Sequence, residues 1–259
     1  MALAALSRRA DWCWRLMGTG LGFLFFGLGG VLLRVLVFPM QRMLAGGHAR
    51  SRLRARATVS ASFRFFINGL SFLRVLRCEV VGAERLGQSG QLILANHPSL
   101  LDVVIVLAQP TMRHCGCIVK QGLWRNPMTR GPVQAAGYIP NDDGLAVLEQ
   151  SVAELQAGHS LLIFPEGTRT TPGQMPVFHR GACSIALRGA RVLTPVRISV
   201  VPSSLSKNQP WYRIPAQRIV FRVEVGEDID PQQWLNASPM PLATRRLNEH
   251  LHQLFSRQN

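Results

Sequence analysis

The chain has 259 residues, 47% of them apolar, enough for one large domain with an appendage or two small ones; a disordered polar protein is excluded. Lysine and arginine number 29 against 14 acidic residues, and the formal net charge of +15 calls for a polyanionic neighbour: nucleic acid, an anionic membrane face, or acidic substrates and carriers. Aromatics are only 7%, with no basic run interleaved with stacking rings, which disfavours nucleic acid, and five irregularly spaced cysteines (Cys13, Cys78, Cys115, Cys117, Cys183) imply no disulfide framework and fit a reducing compartment.

The chain opens on Arg8, Arg9 and Arg15, and from Leu16 to Leu33 it carries no charge. Arg34 interrupts, and Val35–Phe38 continues the apolar run. Such a stretch of helix is about 27 Å long, close to the ~30 Å hydrocarbon core of a bilayer. It is long enough to span, or to lie in one leaflet as a bent hairpin, with Arg34 snorkelling to the headgroups. A signal peptide and a buried core helix are the alternatives. Gly18-Thr19-Gly20-Leu21-Gly22 mimics part of a dinucleotide fingerprint, but no strand precedes it, so it reads as helix packing through small residues. Arg42, Arg50, Arg52, Arg54 and Arg56 follow with no acid between them, which by the positive-inside tendency keeps the remainder cytoplasmic. Residues 50–77 read as an amphipathic helix on an anionic bilayer, or equally as a core-facing helix with a solvated basic side.

From about residue 78 short apolar runs alternate with helical periodicity. Strands are predicted at Gln91–Ala95, Cys115–Lys120, Tyr138-Ile139, Ser160–Phe164, Val192–Val201 and Ile219–Val225. Helices are predicted at Ser99–Ala108, Gly144–Gln156 (started by Asp142 and Asp143), Ala182–Leu187 and Leu242–Phe255. Cys115-Gly116-Cys117 lacks a second ligand pair and reads as strand alternation. The alternation of strands and helices predicts an α/β fold: a central mixed, largely parallel sheet flanked by helices, with an N-terminal membrane-associated segment. Residues 1–77 are then an anchor with basic helices, and residues 78–259 a globular catalytic domain.

Two junctions carry chemistry. The strand ending at Ala95 leads into Asn96-His97-Pro98-Ser99-Leu100-Leu101-Asp102. On one continuous helix, five residues leave His97 and Asp102 ~140° apart. With His97 in the non-helical entry and Asp102 in the first turn, the imidazole can fold back onto the carboxylate. Asp102 would then hold one ring nitrogen and leave the other to accept a proton from an alcohol. The competing reading is a capping box, in which Asp102 satisfies backbone N–H groups. The second junction, Phe164-Pro165-Glu166-Gly167-Thr168-Arg169, follows a buried strand. Gly167 permits an unusual turn and Arg169 offers a fork suited to phosphate. Glu166 could orient Arg169 or bind an acceptor hydroxyl; a local Glu–Arg pair is the blander reading. In an open α/β sheet ligands gather beyond the carboxyl ends of strands, where both junctions fall. The chain has no Gly-x-Ser-x-Gly elbow, no His-Glu-x-x-His and no Walker loop.

At these residues the chain resembles the PlsC-type lysophospholipid, or 1-acylglycerol-3-phosphate, O-acyltransferase family, with its Asn-His-x-x-x-x-Asp and Phe-Pro-Glu-Gly-Thr-Arg blocks. Phe178-His179-Arg180-Gly181-Ala182 and Thr194-Pro195-Val196 extend the likeness, which runs over about residues 78–226. The resemblance implies that His97 is the general base with Asp102 as partner. It implies that Glu166, Gly167, Thr168, Arg169 and Arg180 bind the acceptor. The acyl donor would be acyl-CoA or acyl-acyl-carrier-protein, with no metal or bound cofactor, and the enzyme would sit on the cytoplasmic face of the inner membrane, serving phospholipid biosynthesis. One departure stands out. Where the family often has Gly-x-x-Phe/Ile-x-x-Arg, this chain reads Gly137-Tyr138-Ile139-Pro140-Asn141-Asp142-Asp143. The absent arginine leaves Arg125, Arg130 or Arg180 to replace the charge, or points to a specialised acceptor. A non-catalytic lipid-binding membrane protein and a thioester hydrolase are the rivals.

Overall fold

The computed structural model describes residues 2–142, 144–171 and 174–256; Asp143 lies outside them. The apolar amino terminus forms helix α1 (Ala2–Leu32), which passes through one wider π turn (Leu33–Val37) into α2 (Phe38–Leu44). After a two-glycine break, α3 (His48–Phe72) runs back antiparallel to it. At one end of this hairpin Gly22 faces Leu70, in the middle the Phe26 ring stacks on Phe63, and at the other end Gln41 donates to the Thr58 hydroxyl.

A seven-stranded sheet follows: β1 (Leu76–Val81), β2 (Gln91–Ala95), β3 (Gly116–Lys120), β4 (Ile139–Asn141), β5 (Leu161–Ile163), β6 (Val192–Val201) and β7 (Ile219–Val225), in spatial order β1-β7-β6-β2-β5-β3-β4. Every neighbouring pair is parallel except β6/β7. Between the strands lie α4 (Asp102–Leu107), α5 (Gln121–Arg125), α6 (Arg130–Ala135), α7 (Gly144–Gln156) and α8 (Gly181–Gly189), and after them α9 (Gln232–Ala237) and α10 (Met240–Ser256). Alternate residues of β2 enter two cores. Ile93 and Ala95 pack with α3 and α4, while Leu92 and Leu94 pack with α7, α8 and α10. The sheet is therefore covered on both faces, as a parallel sheet of Val, Ile and Leu requires.

Helix α3 takes the core-facing alternative: Ala55, Val59, Phe66, Ile67 and Leu70 are buried in the same cluster as the sheet. Two arginines that composition assigns to a basic surface turn inward. Arg56, 1% exposed, donates to the carbonyl of Ala136 (2.9 Å) and to Glu154 (3.0 Å), and Arg52 pairs with the other Glu154 oxygen at 2.6 Å. A guanidinium this deep needs a carboxylate and carbonyls to replace its water, and α7 and the turn before β4 supply them. Helix α1 also lies against the body. Gly18, Gly20 and Gly22 face Val75, Trp211 and Leu70, and a Cβ on Gly30 would fall 2.2 Å from the Met128 carbonyl oxygen. Its opposite face, including Leu21, Leu24, Leu28 and Leu32, is exposed, as is Leu36 in the π turn that follows.

Candidate active site

The site lies at the carboxyl ends of β2, β5 and β6, three strands side by side in the sheet. Where β2 stops, Asn96 continues the ladder with its side chain. Its Oδ1 accepts from the Ile198 N–H (2.7 Å) and its Nδ2 donates to the Ile198 carbonyl (2.9 Å). The backbone of His97 is thereby released from β6 and taken by the neighbouring junction. The His97 N–H donates to Glu166 Oε1 at 2.8 Å, and its carbonyl accepts from the Thr170 N–H at 2.7 Å.

The turn through Pro98–Leu101 folds the imidazole back onto the start of α4. His97 Nδ1 lies 2.8 Å from Asp102 Oδ2, and the same oxygen accepts the Ser99 N–H at 2.7 Å. Asp102 thus both caps the turn and holds the histidine ring. Asp102 is fully buried, and burial pushes its carboxyl up to about 6, against the opposing pull of the His97 and Ser99 hydrogen bonds. With Asp102 ionised, Nδ1 carries the ring proton and Nε2 is left as a base. The ring, 17% exposed, packs on Phe164 with centroids 4.5 Å apart.

Gly167 turns the second junction with φ +64°, a conformation that costs a side-chain-bearing residue about 1–2 kcal/mol. Glu166, buried, accepts twice from the Thr170 hydroxyl as well as from His97. Burial raises its carboxyl and these donors oppose the shift. The local Glu166–Arg169 pair, one of the alternatives for this turn, is not formed: among the described residues no ion pair joins them. Arg169 instead reaches over the end of β2, and its Nη1 donates to the carbonyls of Leu205 (2.8 Å) and Ser206 (3.0 Å). Its placement is fixed by those carbonyls. Thr168 is exposed on the same turn. The His179 N–H donates to the Pro165 carbonyl (3.0 Å), which brings the Phe178–Gly181 segment, with exposed Arg180, alongside. Arg125 and Arg130 are exposed on α5 and at the start of α6.

Several contributors escape a reading by motif. Leu205 holds φ +54°, and its carbonyl accepts from both Arg169 and the Leu100 N–H (3.1 Å). The Ser99 hydroxyl donates to the Ser204 carbonyl at 3.0 Å. Thr170 ties the two junctions together. Lys120, exposed at the carboxyl end of β3, stands in register with Asn141, whose Nδ2 lies 3.9 Å from where a Gly167 Cβ would be. A cation closing an apolar strand is the signal that could have found it.

A sequence profile of the family described as Acyltransferase matches residues 77–204, which include both junctions. Over that segment the chain is similar to the acyltransferase family. Over 156 residues it is 28% identical to the 1-acyl-sn-glycerol-3-phosphate acyltransferase alpha of Ovis aries, covering 58% of this chain and 52% of that protein. Over 144 residues it is 26% identical to the 1-acyl-sn-glycerol-3-phosphate acyltransferase of Saccharomyces cerevisiae, covering 52% and 47%. A chloroplastic relative from Arabidopsis thaliana is 24% identical over 136 residues, 50% of this chain and 38% of its own length. The chain thus spans about half or less of the curated relatives it matches. The crystal structure of the 1-acyl-sn-glycerophosphate (LPA) acyltransferase PlsC from Thermotoga maritima shares the fold, with a TM-score of 0.69 at 18% identity over 94% of this chain and 96% of that one.

Proposed function

We propose that this protein moves a fatty acyl chain from a thioester, acyl-CoA or acyl-acyl-carrier-protein, to a hydroxyl of a lysophospholipid-like acceptor. The observation that carries the reading is His97 Nδ1 at 2.8 Å from buried Asp102, with the His97 backbone fixed by Glu166. Nε2 takes the acceptor's hydroxyl proton as its oxygen attacks the thioester carbonyl. The tetrahedral adduct collapses, the C–S bond breaks, and the imidazolium returns the proton to the departing thiolate. Asp102 stabilises the imidazolium in between. Glu166 and Thr170 act as positioning residues, and Arg169, Arg180 and Lys120 are the cations available to an acceptor headgroup. No step in this scheme requires a metal or bound cofactor. The sequence reads Asp142-Asp143 where the family's usual arginine would fall, which favours an acceptor other than lysophosphatidate as the second reading.

The same reading places the protein on a membrane. Leu6–Leu44 is apolar and long enough to cross a bilayer. Its glycine side lies on the body along Gly18–Gly30 and only the outer side is exposed, which supports a helix lying in one leaflet. Trp12 and Trp14 at its start and Arg42, Arg50 and Arg54 beyond its end suit anchoring at that leaflet's interface. The basic excess suits the anionic cytoplasmic face of an inner membrane.

The test is transfer of a labelled acyl group from acyl-CoA or acyl-carrier protein to a panel of lysolipids, read by lipid mass spectrometry. One diacyl product is expected. His97→Ala should lower turnover by ~10²–10⁴ in a protein whose circular dichroism is unchanged. Retained turnover in the folded variant, or free fatty acid released equally with and without acceptor, would overturn the assignment.

A further inference from the structure

The loop that follows β6 does more than anchor Arg169. It walls a cleft of about 460 Å³ formed by Ser203, Ser206, Lys207, Asn208, Gln209 and Arg213, floored by Ile214 and Pro215. No acidic residue lines it. Lys207 and Arg213 are both exposed and neither forms an ion pair among the described residues. Two hydroxyls, Ser203 Oγ and Ser206 Oγ, lie 3.2 Å apart on its wall. The cleft is rigidly indexed to the dyad. Ser204 and Leu205 hold Ser99 and Leu100, next to His97, and Ser206 holds Arg169. At its far end the loop is fastened as well: Arg15 donates to the carbonyls of Pro215, Ala216 and Gln217, and Trp12 to that of Ile214. Leu205 and Asn208 are both left-handed, and such conformations survive in non-glycine residues where the surroundings over-determine them, commonly at binding sites.

Strand order adds the decisive constraint. The dyad follows β2. On one side, at the ends of β5 and β3, stand Glu166, Lys120 and Arg180, while the Arg169 guanidinium reaches from there over β2 to the Leu205 and Ser206 carbonyls. On the other side, beyond β6, stands this cleft. The reaction proposed above joins two substrates, and each carries phosphate. We infer that the Ser203–Pro215 cleft binds the phosphate of the acyl donor's phosphopantetheine arm, with Lys207 and Arg213 as its cations, leaving the β5–β3–β4 side to the acceptor. The inference rests on the acyltransferase reading. It deepens that reading by giving the two substrates opposite approaches to His97, with the arm's thiol end directed at the dyad. The shared group is a phosphate ester of pantetheine, present in coenzyme A and in carrier protein alike; a lipid phosphate is the competing source.

Binding decides the question without turnover. Full-length protein in detergent is titrated with coenzyme A and with 4′-phosphopantetheine, and separately with anionic phosphatidylglycerol vesicles. Lys207→Met with Arg213→Gln should weaken both pantetheine ligands about tenfold or more and leave vesicle binding as it was. In steady state, the same variant should lower the ratio of kcat/KM for acyl-CoA over that for the phosphate-free acyl-N-acetylcysteamine thioester by a similar factor. Unchanged coenzyme A affinity in the folded variant, or a loss confined to vesicles or to the lysolipid KM, would overturn the inference. Failure of the parent protein to acylate any acceptor would instead count against the acyltransferase reading, while the coenzyme A titration still decides the cleft.

Discussion

Asp102 is held by two donors on one oxygen, while its other oxygen, Oδ1, is buried with no partner among the described residues. That imbalance is why burial outweighs hydrogen bonding and lifts its carboxyl to about 6. A folded-state value above the ordinary ~3.9 means that the ionised form disfavours folding. The contribution to stability is full below the unfolded carboxylate value and is lost as pH rises through about 6. In the proposed mechanism catalysis runs the other way, since Asp102 would have to be ionised to support the imidazolium. Turnover should therefore fall as pH drops through about 6, measured as kcat/KM against pH. Asp102→Asn should lower turnover by ~10²-fold or more yet unfold at pH 7.5 at no lower urea concentration than the parent, its relative advantage shrinking towards pH 4. The His97–Asp102 contact is legible in the sequence because it closes within one turn. The Glu166–His97 bond is not, because it exists only if β2 and β5 are neighbours, and nothing local in either segment states that. Arg169 shows the same limit: its guanidinium fits phosphate by chemistry, but its carbonyl partners lie some 36 positions away on the loop after β6.

Among the elements, the long strands and the strongly periodic helices match their expected bounds: β2, β6, β7 and α7 coincide with the predicted segments. Helix α4 starts at Asp102 rather than Ser99: the Ser99 N–H is turned onto the Asp102 carboxylate and the Leu100 N–H onto the Leu205 carbonyl, which holds residues 99–101 in a turn. The short α5, α6 and α9 are missed, since five or six residues are too few to show a period. Helix α3 is the instructive case. Its basic composition suggests a surface, yet Arg56 is a core residue whose partner, Glu154, lies 98 positions on. Arg56→Ala should cost about 3–5 kcal/mol in urea unfolding, because it leaves carbonyls and part of a carboxylate buried without a donor. Arg52→Ala, at a third-exposed position, should cost markedly less.

At the scale of the whole molecule, the net charge of +15 and the apolar outer side of α1 are two halves of one proposed surface. The leucines at 21, 24, 28, 32 and 36 repeat at helical spacing and none is covered by the body. Leu24→Asp with Leu28→Asp should abolish most sedimentation with phosphatidylglycerol vesicles while leaving the urea midpoint within error of the parent. The residual binding should fall with added salt, as surface attraction does. Fold class was readable at this scale, because a chain of alternating strands and helices has few ways to bury both faces of a parallel sheet. The position of α1 was not: hydropathy reports that a helix is greasy, whereas only the contacts of its glycine side report that half of it is already spoken for.

The clasp of Asn96 on Ile198 has an implication for anyone wishing to move this chemistry elsewhere. Because a carboxamide stands in for the next rung of main chain, His97, the proposed base, inherits its coordinates from the interior of the sheet and owes little to a pliable surface turn. Grafting residues 96–102 onto another scaffold would carry the reagents without the jig. The transplant must bring the flanking strands, and with them the loops that grip its backbone from left and right.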